Sequence, residues 1–247
     1  YEYALLFLTT LCDYYQHTRD AETFLDIYPV VQKQMDAAKK ITDENGILSL
    51  FNKRDVFIDW NDAREKTVSL NGVYLYTLDR LSQALSKLNH KDAPIYQSRY
   101  QDTKHAAYRH LYNAKDHNFA VGYDKEQISV HSVVWMILGG VIDGEIAWEA
   151  LQNTMKNPQS IKPVTPYMNH YLAEAMMKLG KQKEAISYIK SFWGLMIKKG
   201  ADTFYEVFVP EKPDLSPYGD KMINSMCHAW SCTPSYFIRT LDQDDHA

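Results

Sequence analysis

Apolar positions along the chain recur every three to four residues, the spacing of helices that each bury one face. Leu5, Leu8, Leu11, Cys12 and Tyr15 form the first stripe. Asp20, a residue type suited to capping, then precedes a second stripe of Phe24, Ile27, Val31 and Met35, so residues 1–40 read as a helical hairpin. Residues 43–46, Asp-Glu-Asn-Gly, form a turn, and residues 47–63 read as a long connection carrying Phe57, Asp59, Trp60 and Asp62. Helical spacing resumes through Val73, Leu78, Leu81 and Leu85 over residues 70–88. Pro94, with its preset φ, opens the partner helix over 95–112. After a loop with Phe119 and Tyr123, helices are predicted over 130–138, 144–155, 166–179 and 183–198, the last two stopped by Gly180 and Gly200. A short final helix over 235–241 follows Pro234.

Each helix pair takes about 35–50 residues, the period of helix-pair arrays. The pairs differ too much to be tandem repeats, and the loops joining helices alternate between short and long. Unequal loops favour a closed ring of hairpins over an open solenoid. In such a ring the long loops gather at one end, where they form a cleft. The expectation is an all-α toroid, with residues 201–236 as the richest of its long loops.

Composition narrows the chemistry. With 45% hydrophobic and 23% charged residues, the 247-residue chain has the make-up of a globular protein. Its 10 glycines are too few for a protein built on hairpin turns. A net charge of −4 provides no basic field for a phosphate backbone, which argues against a nucleic-acid partner. The most apolar stretch, residues 130–141, is too short to span a membrane and contains His131. Cys12, Cys227 and Cys232 show no metal spacing and no even disulfide framework, although Cys227 and Cys232 are close enough in sequence for a bridge to be possible. The 18 tyrosines and five tryptophans are either core mass or the lining of a site for flat, hydroxylated ligands. Residues 1–18 lack an initiating Met, a basic leader and a small-residue cleavage site, and they read as a helix already under way, so the chain is expected to begin inside a larger protein.

Three constellations carry possible chemistry. Glu206 lies among Phe204, Tyr205, Val207 and Phe208, apolar surroundings that would desolvate a carboxyl group and suit it to proton transfer; the competing reading is an ion pair with Lys212 or Lys221. His228 and Trp230, beyond Gly219-Asp220, either serve a site or are ordinary core and capping residues. Asp59, Trp60 and Asp62 form either a sugar platform or an Asx-type turn whose indole plugs the core.

The run from Phe192-Trp193-Gly194 through Gly200-Ala-Asp-Thr-Phe-Tyr-Glu206, then Gly219-Asp220, then Cys227-His-Ala-Trp-Ser231 and Pro234, resembles the C-terminal half of the catalytic domain of α-L-rhamnosidases of the family 78 type of glycoside hydrolase. Asp13-Tyr-Tyr15 with Thr18-Arg-Asp20 is similar to that family's hairpin turn, and Asp59-Trp60 with Asp62 to its sugar-contact loop. The resemblance covers nearly the whole chain. It implies a six-hairpin (α/α)6 toroid and inverting hydrolysis of terminal α-L-rhamnosyl residues. A carboxylic acid then protonates the leaving oxygen while a carboxylate about 6.5–9.5 Å away activates water. By the same resemblance Glu206 is the general base, His228 contacts the sugar, Trp60 walls the pocket and Asp59 partners a hydroxyl; Asp62, Asp202 and Trp230 are weaker candidates.

The departures are also informative. The family's general acid lies in an acidic motif of the type Asp-Glu followed by Trp and Asp, and nothing in residues 1–247 matches it. Tyr205 stands where many members carry Trp. About eight or nine helices are predicted, fewer than the toroid's twelve, and flanking β domains are absent. Residues 1–247 are therefore expected to be a single segment of the catalytic domain, inactive alone, whose partner is the rest of the parent chain and whose substrate is a rhamnose-containing oligosaccharide or glycoside. Two-carboxylate hydrolysis needs no metal or cofactor, and none is expected. The resemblance also implies export to the periplasm or beyond. The alternatives are another (α/α) toroid enzyme acting on uronides, or a non-catalytic helical scaffold.

Overall fold

The structure, a computed structural model, describes residues 2–49, 56–61, 63–212 and 214–244. Asp62, one of the weaker site candidates, lies outside them. The chain divides into two compact units, one of residues 1–58 and 63–161, the other of residues 59–62 and 162–247.

The first unit contains α1 (Glu2–Thr18), α2 (Ala21–Lys40), α3 (Thr67–Lys87), α4 (Ala93–Leu111), α5 (Val130–Leu138) and α6 (Gly144–Lys156). The tight link between α1 and α2 follows from local chemistry. Arg19 takes a left-handed φ of 60°, and Asp20 caps α2 by accepting from the Thr23 amide at 3.0 Å. The Thr23 hydroxyl also donates to Asp20, and these bonds hold its carboxyl below the usual carboxylate range. Pro94 sits in the first turn of α4, as predicted.

Helices α3 and α5 form the centre of this unit. All nine residues of α5 are buried, as expected of a helix apolar on every side. α3 buries polar side chains as well, and Asn71 and Thr77 show how they are satisfied. Asn71 mimics a strand backbone, donating to the Leu48 carbonyl at 2.9 Å and accepting from the Leu48 amide at 2.9 Å. Thr77 returns its hydroxyl to the Val73 carbonyl at 2.9 Å. The two helices approach closely at Gly72, where a Cβ would lie 2.5 Å from the Trp135 Cβ and 2.6 Å from its carbonyl carbon. Only glycine fits there. A short antiparallel ribbon, β1 (Tyr112–Asn113) and β2 (Asn118–Phe119), pairs Tyr112 with Phe119 in the stretch read from sequence as a plain loop.

The second unit contains α7 (Pro166–Lys178), α8 (Gln182–Lys198) and α9 (Thr233–Asp244), with short 3-10 turns at Lys221–Ile223 and Ala229–Ser231. Thr165 caps α7 through the Met168 amide, and Pro166 occupies the first turn. α8 ends where Gly200 adopts a φ of +95° and the Ala201 amide turns back to the Met196 carbonyl at 3.2 Å. α9 begins two residues earlier than predicted, at Thr233, and runs on to Asp244. Among the described residues no helix is long and apolar enough to cross a membrane.

Candidate active site

The site grows from the segment released by Gly200. Two backbone bonds lay residues 204–206 beside residues 225–228: the Glu206 amide donates to the Ser225 carbonyl and the His228 amide to the Phe204 carbonyl, both at 2.9 Å. The Trp230 indole donates to the Glu206 carbonyl at 3.1 Å, and the Ser231 hydroxyl to the Tyr205 carbonyl at 2.6 Å. Trp193 of α8 reaches across to the Ser231 carbonyl at 2.9 Å. This web fixes the backbone on which Glu206 stands.

Glu206 itself is only 5% exposed. One oxygen, Oε1, accepts from the Tyr218 phenol at 2.5 Å, and the other, Oε2, accepts from the Ser225 amide at 3.0 Å. An ionised carboxylate offers about four lone-pair sites. The two bonds orient it and leave acceptor capacity for a water molecule. Lys221, one of the lysines that could have neutralised Glu206, pairs with Asp214 at 2.7 Å instead.

Tyr218 is held in turn. Its amide donates to the Ser216 hydroxyl at 3.1 Å, and that hydroxyl lies 2.8 Å from the Asp220 carbonyl and 2.9 Å from the Asn224 side-chain oxygen. The Tyr218 ring meets Trp60 edge to face, with centroids 5.4 Å apart. Trp60 thus stands beside the phenol that holds Glu206.

The His228 and Trp230 rings meet tilted by 37° with centroids 4.3 Å apart, and Trp230 packs on Tyr167 at 5.4 Å. The Nδ1 of His228 accepts from the Trp230 amide at 3.3 Å, capping the 3-10 turn. In the neutral imidazole that bond places the proton on Nε2, which becomes a donor. His228 therefore combines a capping role at Nδ1 with a donor at Nε2.

Asp59, expected from the resemblance to partner a sugar hydroxyl, is engaged by backbone amides. It is 1% exposed, and its carboxylate accepts from the amides of Trp60 at 2.9 Å, Val164 at 2.7 Å and Thr165 at 3.2 Å. Its charge anchors the Trp60 loop to the start of α7, because a buried carboxylate needs such donors. Asp202 is exposed just beyond α8. Among the described residues no group of three or more His, Cys, Asp or Glu side chains is placed to hold a metal ion. Cys227 and Cys232 are free and exposed, and Cys12 is buried.

Sequence reading missed Tyr218 and Ser225. The only local hint was the Ser-Pro-Tyr-Gly order of residues 216–219, a turn composition that presents the tyrosine.

Residues 4–240 match the family described as the bacterial alpha-L-rhamnosidase 6 hairpin glycosidase domain. The chain belongs to that family. Its fold class is accordingly the all-α six-hairpin glycosidase class. Among solved structures, this α-L-rhamnosidase-family chain is similar to a rhamnosidase from Klebsiella oxytoca with rhamnose bound, at 36% identity and a TM-score of 0.92, over 98% of this chain and 47% of that one. It is also similar in fold to a GH78 family rhamnosidase of Bacillus sp. GL1, at 21% identity and a TM-score of 0.80, over 95% of this chain and 25% of that one. The α-L-rhamnosidase-family chain thus spans about half the length of the Klebsiella protein. No curated protein matches it.

Proposed function

We propose that this chain supplies the base side of an inverting glycosidase acting on terminal α-L-rhamnosyl residues. Glu206, held at both oxygens by Tyr218 and Ser225, carries the proposal. A general base needs a fixed carboxylate with spare acceptor capacity next to the reacting carbon. In this reading Glu206 takes a proton from water as the water attacks the anomeric carbon. The Nε2–H of His228 donates to a sugar hydroxyl, and Trp60 and Trp230 present flat faces to the pyranose. Asp59 acts at one remove by fixing Trp60. The general acid is contributed from outside residues 1–247, and the whole segment belongs to one catalytic domain. The rhamnose-bound Klebsiella relative supports rhamnose as the sugar.

The test is turnover of an aryl α-L-rhamnoside by the full-length protein, with the anomer first released identified by NMR. Glu206→Gln is expected to lose at least about 10³-fold in kcat with KM nearly unchanged, and the wild type to release the inverted anomer. Full turnover in Glu206→Gln would refute the assignment of the base. Release of the retained anomer would refute the mechanism.

A further inference from the structure

The first unit holds a cleft of about 550 Å³ formed by the end of α2, the turn that follows it and one face of α4. That volume is typical of small-molecule sites, which span about 300–1,000 Å³. Arg99, Asp102, Ala106 and Arg109 stand at i, i+3, i+7 and i+10 of α4, and this shared face lines the cleft. The floor is made of small groups: a Cβ added at Gly46 would sit 3.4 Å from the Ala106 Cβ.

Of the cations on the walls, Arg99 is held in place. Arg99 donates to the Met35 carbonyl at 3.2 Å and lies over the Tyr96 ring, 5.4 Å from its centroid. Those contacts fix the guanidinium while leaving further N–H donors. Lys39 and Arg109 line the same space, as do the carboxylates of Glu44 and Asp102. Among the described residues no ion pair joins any of these three cations to a carboxylate. In a chain of net charge −4, three such cations against two carboxylates make a local excess of positive charge.

We propose that this cleft binds a sugar bearing a carboxylate. Arg99 and Arg109 offer paired N–H donors that match a carboxylate's two oxygens. Glu44 and Asp102 offer acceptors for the ring hydroxyls. A neutral sugar leaves the guanidinium groups without a counter-charge. A bare inorganic anion lacks a ring of hydroxyls to span the distance from the guanidinium groups to Glu44 and Asp102, so the combination selects a ligand that carries both groups.

Calorimetric titration of the full-length protein with sodium glucuronate, glucose and inorganic phosphate at constant ionic strength tests this. Glucuronate is expected to bind at least tenfold more tightly than either of the others. Lys39→Gln combined with Arg109→Gln, both at exposed positions, should weaken glucuronate at least tenfold while aryl rhamnoside turnover stays unchanged. Because the readout is heat of binding, the result stands apart from the assignment of Glu206. Equal binding of glucose, equal binding of phosphate, absence of glucuronate binding, or a double variant that binds as the parent does would each overturn the proposal.

Discussion

Tyr218→Phe isolates one bond in the candidate site. The substitution deletes the phenol oxygen that donates to Glu206 Oε1 at 2.5 Å and keeps the ring that meets Trp60 at 5.4 Å. A hydrogen bond to a charged acceptor contributes about 1.5–3 kcal/mol. Tyr218 is 44% exposed, so water replaces part of the lost bond and the lower end of that range applies. About 1.5 kcal/mol corresponds to a roughly tenfold fall in kcat. KM should remain within about twofold, because the bond orients the base without gripping the sugar. The assay is steady-state hydrolysis of an aryl α-L-rhamnoside by the full-length protein, in the parent and in a Glu206→Gln background. In the second background the loss should vanish, because the carboxylate that Tyr218 serves is no longer present. An unchanged kcat in Tyr218→Phe, or a tenfold loss that persists alongside Glu206→Gln, would refute the reasoning.

Three further outcomes are expected. Gly72→Ala forces a methyl group to within 2.5 Å of Trp135, and the overpacking should cost about 3 kcal/mol, read as a lower urea midpoint; an unchanged midpoint would show that α3 and α5 do not meet there. Asp59→Ala removes the acceptor of three backbone amides and should lower stability by about 3 kcal/mol, with Asp59→Asn recovering part; a loss of activity at unchanged stability would instead make Asp59 a direct sugar contact. Burial pushes the Cys12 thiol up to about 12, so iodoacetamide at about pH 8 should label Cys227 and Cys232 in the folded protein and reach Cys12 only after denaturation, as counted by intact mass.

Helices were the legible part of this sequence because their causes are local. The stripe of Phe24, Val31 and Met35, the cap at Asp20, Pro94 and the stop at Gly200 each act within a turn or two of chain. The ribbon at Tyr112–Asn113 and Asn118–Phe119 was not legible, since two-residue strands are too short for alternation to register. In the site, residue types drew attention to Glu206, His228 and Trp60, but their partners could not be read from type. The Asp59 carboxylate meets amides 105 and 106 residues away, and that pairing is set by packing alone. Tyr218 reaches back 12 residues from an ordinary turn.

The loop around Asp59 also governs how the chain can be divided. Residues 59–62 belong to the second unit, while the chain on either side of them belongs to the first. No single cut therefore separates the units. A fragment starting at residue 162 would carry Glu206 and His228 but leave the Val164 and Thr165 amides without their carboxylate and Tyr218 without its indole neighbour. During synthesis the Asp59 segment emerges more than a hundred residues before its donor amides exist, so the start of α7 can lock only after the first unit's helices have been made. Any natural or engineered recombination that shuffles this domain must carry both stretches together or lose the second unit's footing.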